Sequence, residues 1–339
     1  MRQEKIGFGI IFRMFFSLIP LAFGMRATAV VLCAYNIAMS YVVFGPKTSF
    51  ISSLCSVGIS MMLYGFFYGD GAQIIGLFMA AVSILCALGC IIGIKGKKPF
   101  FSCVWLSAAG ALVPIFGWFR FFATTVGMSV SGMFAQITED AVMTVKNVLN
   151  EQIPGGAVFS ELQFDEIALH AGKFAGLIVP AISIILAAML AYILNWAVNC
   201  RLRGTNYPVK HYFSQIRIPV PMTVMFIVSA VAVYLNVRSD VTVVCINLFI
   251  IFAFLSLIAG MSLIESVLKR AHIKPFLRFM IQASAVYFGL SLAIAFPVIN
   301  IFAVYMCLAI ADSLFNFRKL DSSIENKVES EENAHETKK

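Results

Sequence analysis

Charge is what this chain lacks. Of its 339 residues only 12% are Asp, Glu, Lys or Arg, about half the ~25% usual in soluble domains. Histidine is scarce too: His170, His211, His272 and His335 are scattered, and none joins an HExxH pair or a nucleophile elbow. No Walker A glycine loop is present, so the chain cannot itself be an ATPase subunit of that kind. The eight cysteines form neither a CxxC pair nor a Cys/His zinc spacing; Cys86 and Cys90 share a helix face. Apolar runs surround all eight, which reads as small packing residues. A membrane-embedded acyl or glycosyl transferase would need an acid or histidine near the interface. Asp70, His170 and Asp312 are too isolated to supply one. These absences exclude recognisable catalytic residues, a metal site and a cofactor motif, and the chain reads as a non-enzyme.

What is present is apolar length. Hydrophobic residues make up 60% of the chain, above the ~45–50% of soluble domains. They fall in runs of ~17–25 residues, enough to cross ~30 Å of hydrocarbon as helix. Period-two alternation is absent, which argues against an outer-membrane barrel. The N-terminus, MRQEK before IGFGIIF, faintly resembles a signal peptide, but Arg13 interrupts its apolar region and no clean A-x-A site follows. The expected fold is all-α: a polytopic transmembrane helix bundle of about ten spans.

Five runs, at residues 6–23, 27–44, 49–68, 72–94 and 101–122, precede one long polar interruption at 123–173. Five more follow, at 174–198, 218–237, 241–267, 279–296 and on to about 315. The first run either spans or lies in the interface, the first two runs could merge, and 279–315 could form one span at the cost of placing Arg318 and Lys319 outside, so the total lies at eight to ten. Inside the interruption, Phe134, Ile137, Ala141, Val142, Val145, Val148 and Leu149 recur at helical spacing, opposite Glu139, Asp140, Lys146 and Asn147. Pro154-Gly155-Gly156 ends that helix, and Ser160 can cap a second short one, through about His170, that runs into the sixth span. An amphipathic helix pair outside the bilayer, lying as a lid on the bundle, is the expectation. The domain reading is 1–122, 123–173, 174–319 and a Glu-rich, disordered tail at 320–339.

Loop charge fixes orientation. With the N-terminus inside, sixteen Lys and Arg fall on inner loops and four (Arg26, Lys146, Lys173 and Arg238) on the outer side. The net charge of +8 is explained by this bias without nucleic acid. Both termini are expected in the cytoplasm, in a bacterial inner membrane, with the acidic segment outside.

Polar groups inside spans are expensive, which makes each a functional candidate. Arg13, mid-run, shares a face with Ser17 and approaches Asn36; this trio could hold an anionic ligand group. Arg120, near the outer end of its span, is a further ligand candidate or snorkels to the headgroups. Glu265 and Lys269, four apart, suit an ion pair. Asp312 precedes Arg318 and Lys319 and could pair with basic loop groups or relay protons. Asn195, Asn199, Asn247, Gln282 and Asn300 read as interhelical hydrogen-bond formers, and spacings such as Gly89/Gly93 and Gly172/Gly176 as close-packing seams.

Residues 213–319 carry a resemblance. Arg217-Ile218-Pro219 leads into spans around Asn247 and Gly260; Leu268-Lys269-Arg270 leaves the membrane; the block closes on Ala311-Asp312-Ser313-Leu314-Phe315-Asn316-Phe317-Arg318-Lys319. This resembles the YybS-like family of bacterial membrane proteins, domain of unknown function 2232. The resemblance implies a compact helical bundle like the substrate-binding subunits of energy-coupling-factor transporters. Those subunits carry an A-x-x-x-A contact motif in the first span. FGIIFRMFFSLIPLAFG lacks it, which weakens the expectation of such an energising partner. The reading from sequence is a small-molecule binding or transport protein, with the lipid bilayer, a ligand and other membrane subunits as partners. The alternative is a non-transporting scaffold or regulator of an envelope complex.

Overall fold

The structure is a computed structural model and describes residues 9, 12–20, 25–69, 71–98, 100–152, 161–202, 213–235, 239–295 and 301–317. Residues 12–18 are helical. Ten α-helices follow: α1 Arg26–Phe44, α2 Pro46–Tyr68, α3 Gln73–Lys95, α4 Phe100–Val126, α5 Val130–Gln152, α6 Glu161–Leu202, α7 Val220–Leu235, α8 Ser239–Arg270, α9 Pro275–Ala295 and α10 Ile301–Phe315. No strand occurs among the described residues. Among the described residues six helices are long and apolar enough to cross a membrane: α1, α2, α3, α4, α6 from Asp165, and α8 from Val241. Val220–Leu235 and Phe302–Phe315 are shorter apolar helices. The Pro154-Gly155-Gly156 break, the Ser160 cap, Asp70, His211, the Pro297-Val298 break, Asn300, Arg318, Lys319 and the tail lie outside the described residues.

Turn chemistry sets the helix ends. Gly45 alone separates α1 from α2; its φ of +90° reverses the chain, and Pro46 opens the next helix. α4 and α6 contain Pro114 and Pro180 without being split. Neighbouring helices and side chains in a membrane bundle can satisfy the backbone groups a proline frees.

The chain packs as two compact units, Met1–Lys210 and His211–Lys339. In the first, α6 packs on α1, α3 and α4 through its C-terminal half and on α5 through its N-terminal half. Residues 174–202 therefore pack with the N-terminal spans. In the second unit, α8 packs against α7, α10 and the 3-10 turn Phe213–Gln215, with α9 beside α8 and α10.

Small residues decide which helix faces meet. α2 buries Ser49, Ser52, Ser56, Ser60 and Tyr64, and exposes Phe50, Leu54, Met62 and Phe66. This is the reverse of a soluble helix, and it suits a lipid environment: hydrocarbon does not drive apolar side chains together, so close van der Waals contact must. A Cβ on Gly89 would sit 2.3 Å from the Leu106 carbonyl oxygen, and one on Gly110 would sit 2.3 Å from that of Leu85. The α3–α4 contact is thus backbone against backbone. Gly260 makes the same approach to the Tyr305 carbonyl in the second unit, where an added Cβ would lie 2.1 Å away.

The α5–α6 pair follows this rule. The sequence predicts a helix through about His170 that runs into the sixth span, and Glu161–Leu202 is one helix of 42 residues, about 63 Å long. Gly172 faces Ala135 and Glu139, and Gly176 faces Ser131. That register sets α5 beyond the end of α4 along the axis of α6. Phe134 meets Phe119 at the base, with ring centroids 4.8 Å apart, and Lys146 pairs with Asp165 at 3.3 Å farther out. Ile137, Val145 and Val148 remain exposed. The apolar stripe does not seal this hairpin; the glycine face of α6 does.

Two glycine substitutions separate packing from propensity. Gly110→Ala should destabilise by about 1–3 kcal/mol through overpacking, lowering the melting temperature in detergent. Gly58→Ala, with nothing within 4 Å of the added Cβ, should be neutral or mildly stabilising.

Candidate functional site

The first residues to consider lie where residues 12–18 meet α1 and α2. Ser17 donates to the Arg13 carbonyl oxygen at 2.8 Å and accepts a hydrogen bond from Asn36 Nδ2. Ser17 is buried and Asn36 half-buried. So Ser17 and Asn36 come together as the sequence suggests. The Arg13 side chain does not join them: it is exposed, and its link to Ser17 runs through its backbone. Arg120 is also exposed, and its carbonyl accepts from Thr124 Oγ1 at 2.6 Å.

The polar seam continues along α1 and α2. Ser52 Oγ donates to Ser40 Oγ at 3.0 Å, and Ser49 Oγ to the Ile37 carbonyl at 3.1 Å. Ser56 follows, then Ser60 and Tyr64, all fully buried. From Ser49 to Tyr64 this face runs about 22 Å at 1.5 Å per residue, against ~30 Å for the hydrocarbon core. The Tyr64 hydroxyl is buried without a hydrogen-bond partner among the described residues, while that of Ser56 meets the Cys33 thiol. Sequence reasoning passed over these serines although their spacing of three or four marks a single helix face. Serine is common and modest in hydropathy, and it does not stand out inside an apolar run as arginine does.

In the second unit, Glu265 on α8 accepts hydrogen bonds from two α9 side chains: Arg278 Nη1, with which it forms an ion pair, and Gln282 Nε2 at 2.8 Å. Both members of the pair are more than four-fifths buried. Sequence spacing singled out Lys269, which is exposed one turn farther along α8. A helix-surface rule finds neighbours four residues away but not a partner across a turn.

Asp312 on α10 is fully buried. Beside it, the Ser313 carbonyl accepts from Arg217 Nη2 at 2.9 Å, and Thr223 Oγ1 donates to Ser313 Oγ at 2.8 Å. Arg217 thus binds the C-terminal turn of α10, where a cation complements the carbonyl end of the helix dipole. Asn316, at φ +48°, closes that turn by donating its N–H to the Asp312 carbonyl at 2.9 Å. In the first unit, Asn195 Nδ2 links α6 to Ser107 Oγ on α4 at 2.9 Å, an interhelical bond as expected. Among the described residues no group of three His, Cys, Asp or Glu could hold a metal ion.

A family model described as Predicted membrane protein (DUF2232) matches residues 10–313. No curated protein and no solved structure matches the chain.

The Glu265 network has a measurable weight. Glu265→Ala should cost about 3 kcal/mol, because it strands the Arg278 charge. The double change Glu265→Leu with Arg278→Leu should recover most of that loss. Thermal unfolding of the purified variants in one detergent checks the order.

Proposed function

The chain belongs to the DUF2232 family of predicted membrane proteins, and from that premise we propose that it is an inner-membrane protein that binds a small molecule and carries it across the bilayer. What supports this most is the buried hydroxyl face of α2, which extends the Ser17–Asn36 contact and gathers more buried hydroxyls than the other described helices of its unit. Helix packing alone needs small residues but not a continuous line of hydroxyls. Alanine and glycine fill that role at α3 and α4. A line of hydrogen-bonding groups facing inward is suited to a polar guest.

Loop charge supports about ten spans with both termini cytoplasmic, Lys47 and Lys95 at the inner end and Arg26 at the outer. In that orientation the α5–α6 hairpin stands on the outer side, and Glu139, Asp140, Asp165 and Glu166 there oppose no topological rule. Glu265 and Asp312 are the groups for a coupling role, each buried or half-buried beside a guanidinium-bearing element. The second reading is a scaffold without transport. It draws on the exposed Ile137, Val145 and Val148 of the hairpin, an apolar edge that could meet another membrane subunit.

Native mass spectrometry of gently extracted protein tests the choice. A co-purifying small molecule, released by Asn36→Ala or Ser17→Ala and retained by Arg13→Ala, is the expected result. Co-purifying subunits without any small molecule would favour the scaffold.

A further inference from the structure

We propose that the acidic segment at residues 321–336 docks on the basic turn between α8 and α9, at the same end of the second unit. This goes beyond the binding reading above and does not rest on it. Charge is the first observation. Residues 321–336 hold six of the chain's seventeen Asp and Glu: Asp321, Glu325, Glu329, Glu331, Glu332 and Glu336. Lys327 and His335 are the bases among them. The turn reads Lys269-Arg270-Ala271-His272-Ile273-Lys274, with three cations, a histidine and no acid. All four of these basic side chains are exposed. The acids nearest this end of α8 and α10 face other groups or the interior. Glu265 binds Arg278 and Gln282, and Asp312 is fully buried.

Topology is the second observation, because it roots the segment beside this turn. The backbones of α8 and α10 meet at Gly260 and Tyr305. From there α8 runs on to Arg270 and α10 to Phe315, about 15 Å of helix in each. The stretch before α7 touches both helices near these ends. The Phe213 carbonyl accepts from Ser262 Oγ on α8 at 2.6 Å, and Arg217 Nη2 donates to the Ser313 carbonyl on α10 at 2.9 Å. Both helices therefore finish at one level, where Pro275 starts α9. Packed helix axes lie ~8–10 Å apart. The stretch from Phe317 to Glu325 can extend to ~26 Å, so the acids clear that gap. A partner on so short a tether acts at an effective concentration on the order of millimolar. Anionic lipid headgroups compete for the same cations, but a membrane surface of that charge repels an acidic segment rooted next to it. Repulsion by the headgroups and attraction by the turn act in one direction. The docked segment neutralises the turn and lies beside the Glu265–Arg278 pair.

The test uses full-length protein in uncharged detergent and a zero-length carbodiimide, which joins lysine to carboxylate only where the two touch. Peptide mapping of the monomer fraction should find Lys269 or Lys274 coupled to Glu325, Glu329, Glu331 or Glu332. Raising salt from about 0.1 M to about 1 M, which shortens the screening length from about 10 Å to about 3 Å, should lower that yield about fivefold. Trimming by a broad-specificity protease gives a second readout. It tracks the undocked population, so residues 318–339 should be lost about fivefold faster in either of two variants. One is Lys269→Gln with Arg270→Gln and Lys274→Gln. The other, Glu325→Gln with Glu329→Gln, Glu331→Gln and Glu332→Gln, leaves every helix untouched. Coupling confined to Lys327, or spread evenly over the exposed lysines, would overturn the proposal. Equal trimming of the parent and both variants would do the same. If nanodiscs of phosphatidylglycerol abolish the coupling and those of phosphatidylcholine keep it, the turn is a headgroup site and the proposal fails.

Discussion

Close approach between helix backbones is the constraint on which the rest of this molecule depends. In hydrocarbon, a leucine gains little by leaving lipid for another leucine, so helices hold together through short-range contact. At Gly89, Gly110, Gly172, Gly176 and Gly260 the backbones come so near that a single added carbon would collide with a carbonyl or a side chain. Large residues are pushed outward as a consequence: Phe50, Phe66 and Val113 face away from the bundle. The same rule extends past α4, where the glycines of α6 hold α5 although the α5 apolar stripe stays exposed.

Close packing brings polar groups with it, because serine is small enough for these seams and carries a hydrogen-bond donor. The serines on α1, α2 and α6 bond both within their own helix and across to the next. Ser53 and Ser183 bond to carbonyls one turn back, and Ser49 reaches the neighbouring helix. That leaves the interior of the first unit polar yet without charge. The second unit differs. It pairs charge with charge at Glu265 and Arg278, and places Arg217 on the carbonyl end of α10.

Helix existence and type were legible throughout, since runs of apolar residues at these lengths admit one backbone solution in lipid. Boundaries of α1 to α4 fall within a few residues of the hydropathy breaks, at Gly45-Pro46, Gly69-Gly71 and Lys97-Lys98. The helix that runs into the sixth span was legible, but its register against α5, set at Gly172 and Gly176, was not. Of the candidate site, Ser17 and Asn36 stood out as polar positions in two successive apolar runs, but their hydrogen bond is made between helices. The serine face of α2 did not stand out, since serine is modest in hydropathy.

By itself the sequence determined a helical membrane protein, the turns between its first spans and the residues small enough to line them, because composition and length act locally along the chain. Tertiary structure alone decided that residues 174–202 pack with the N-terminal spans, that Glu265 meets Arg278 across a turn, and that the Arg13 side chain is exposed while Ser17 is buried. Each of these depends on which surfaces meet, and that is set by shape complementarity between elements distant in the chain, for which no local pattern carries a signal.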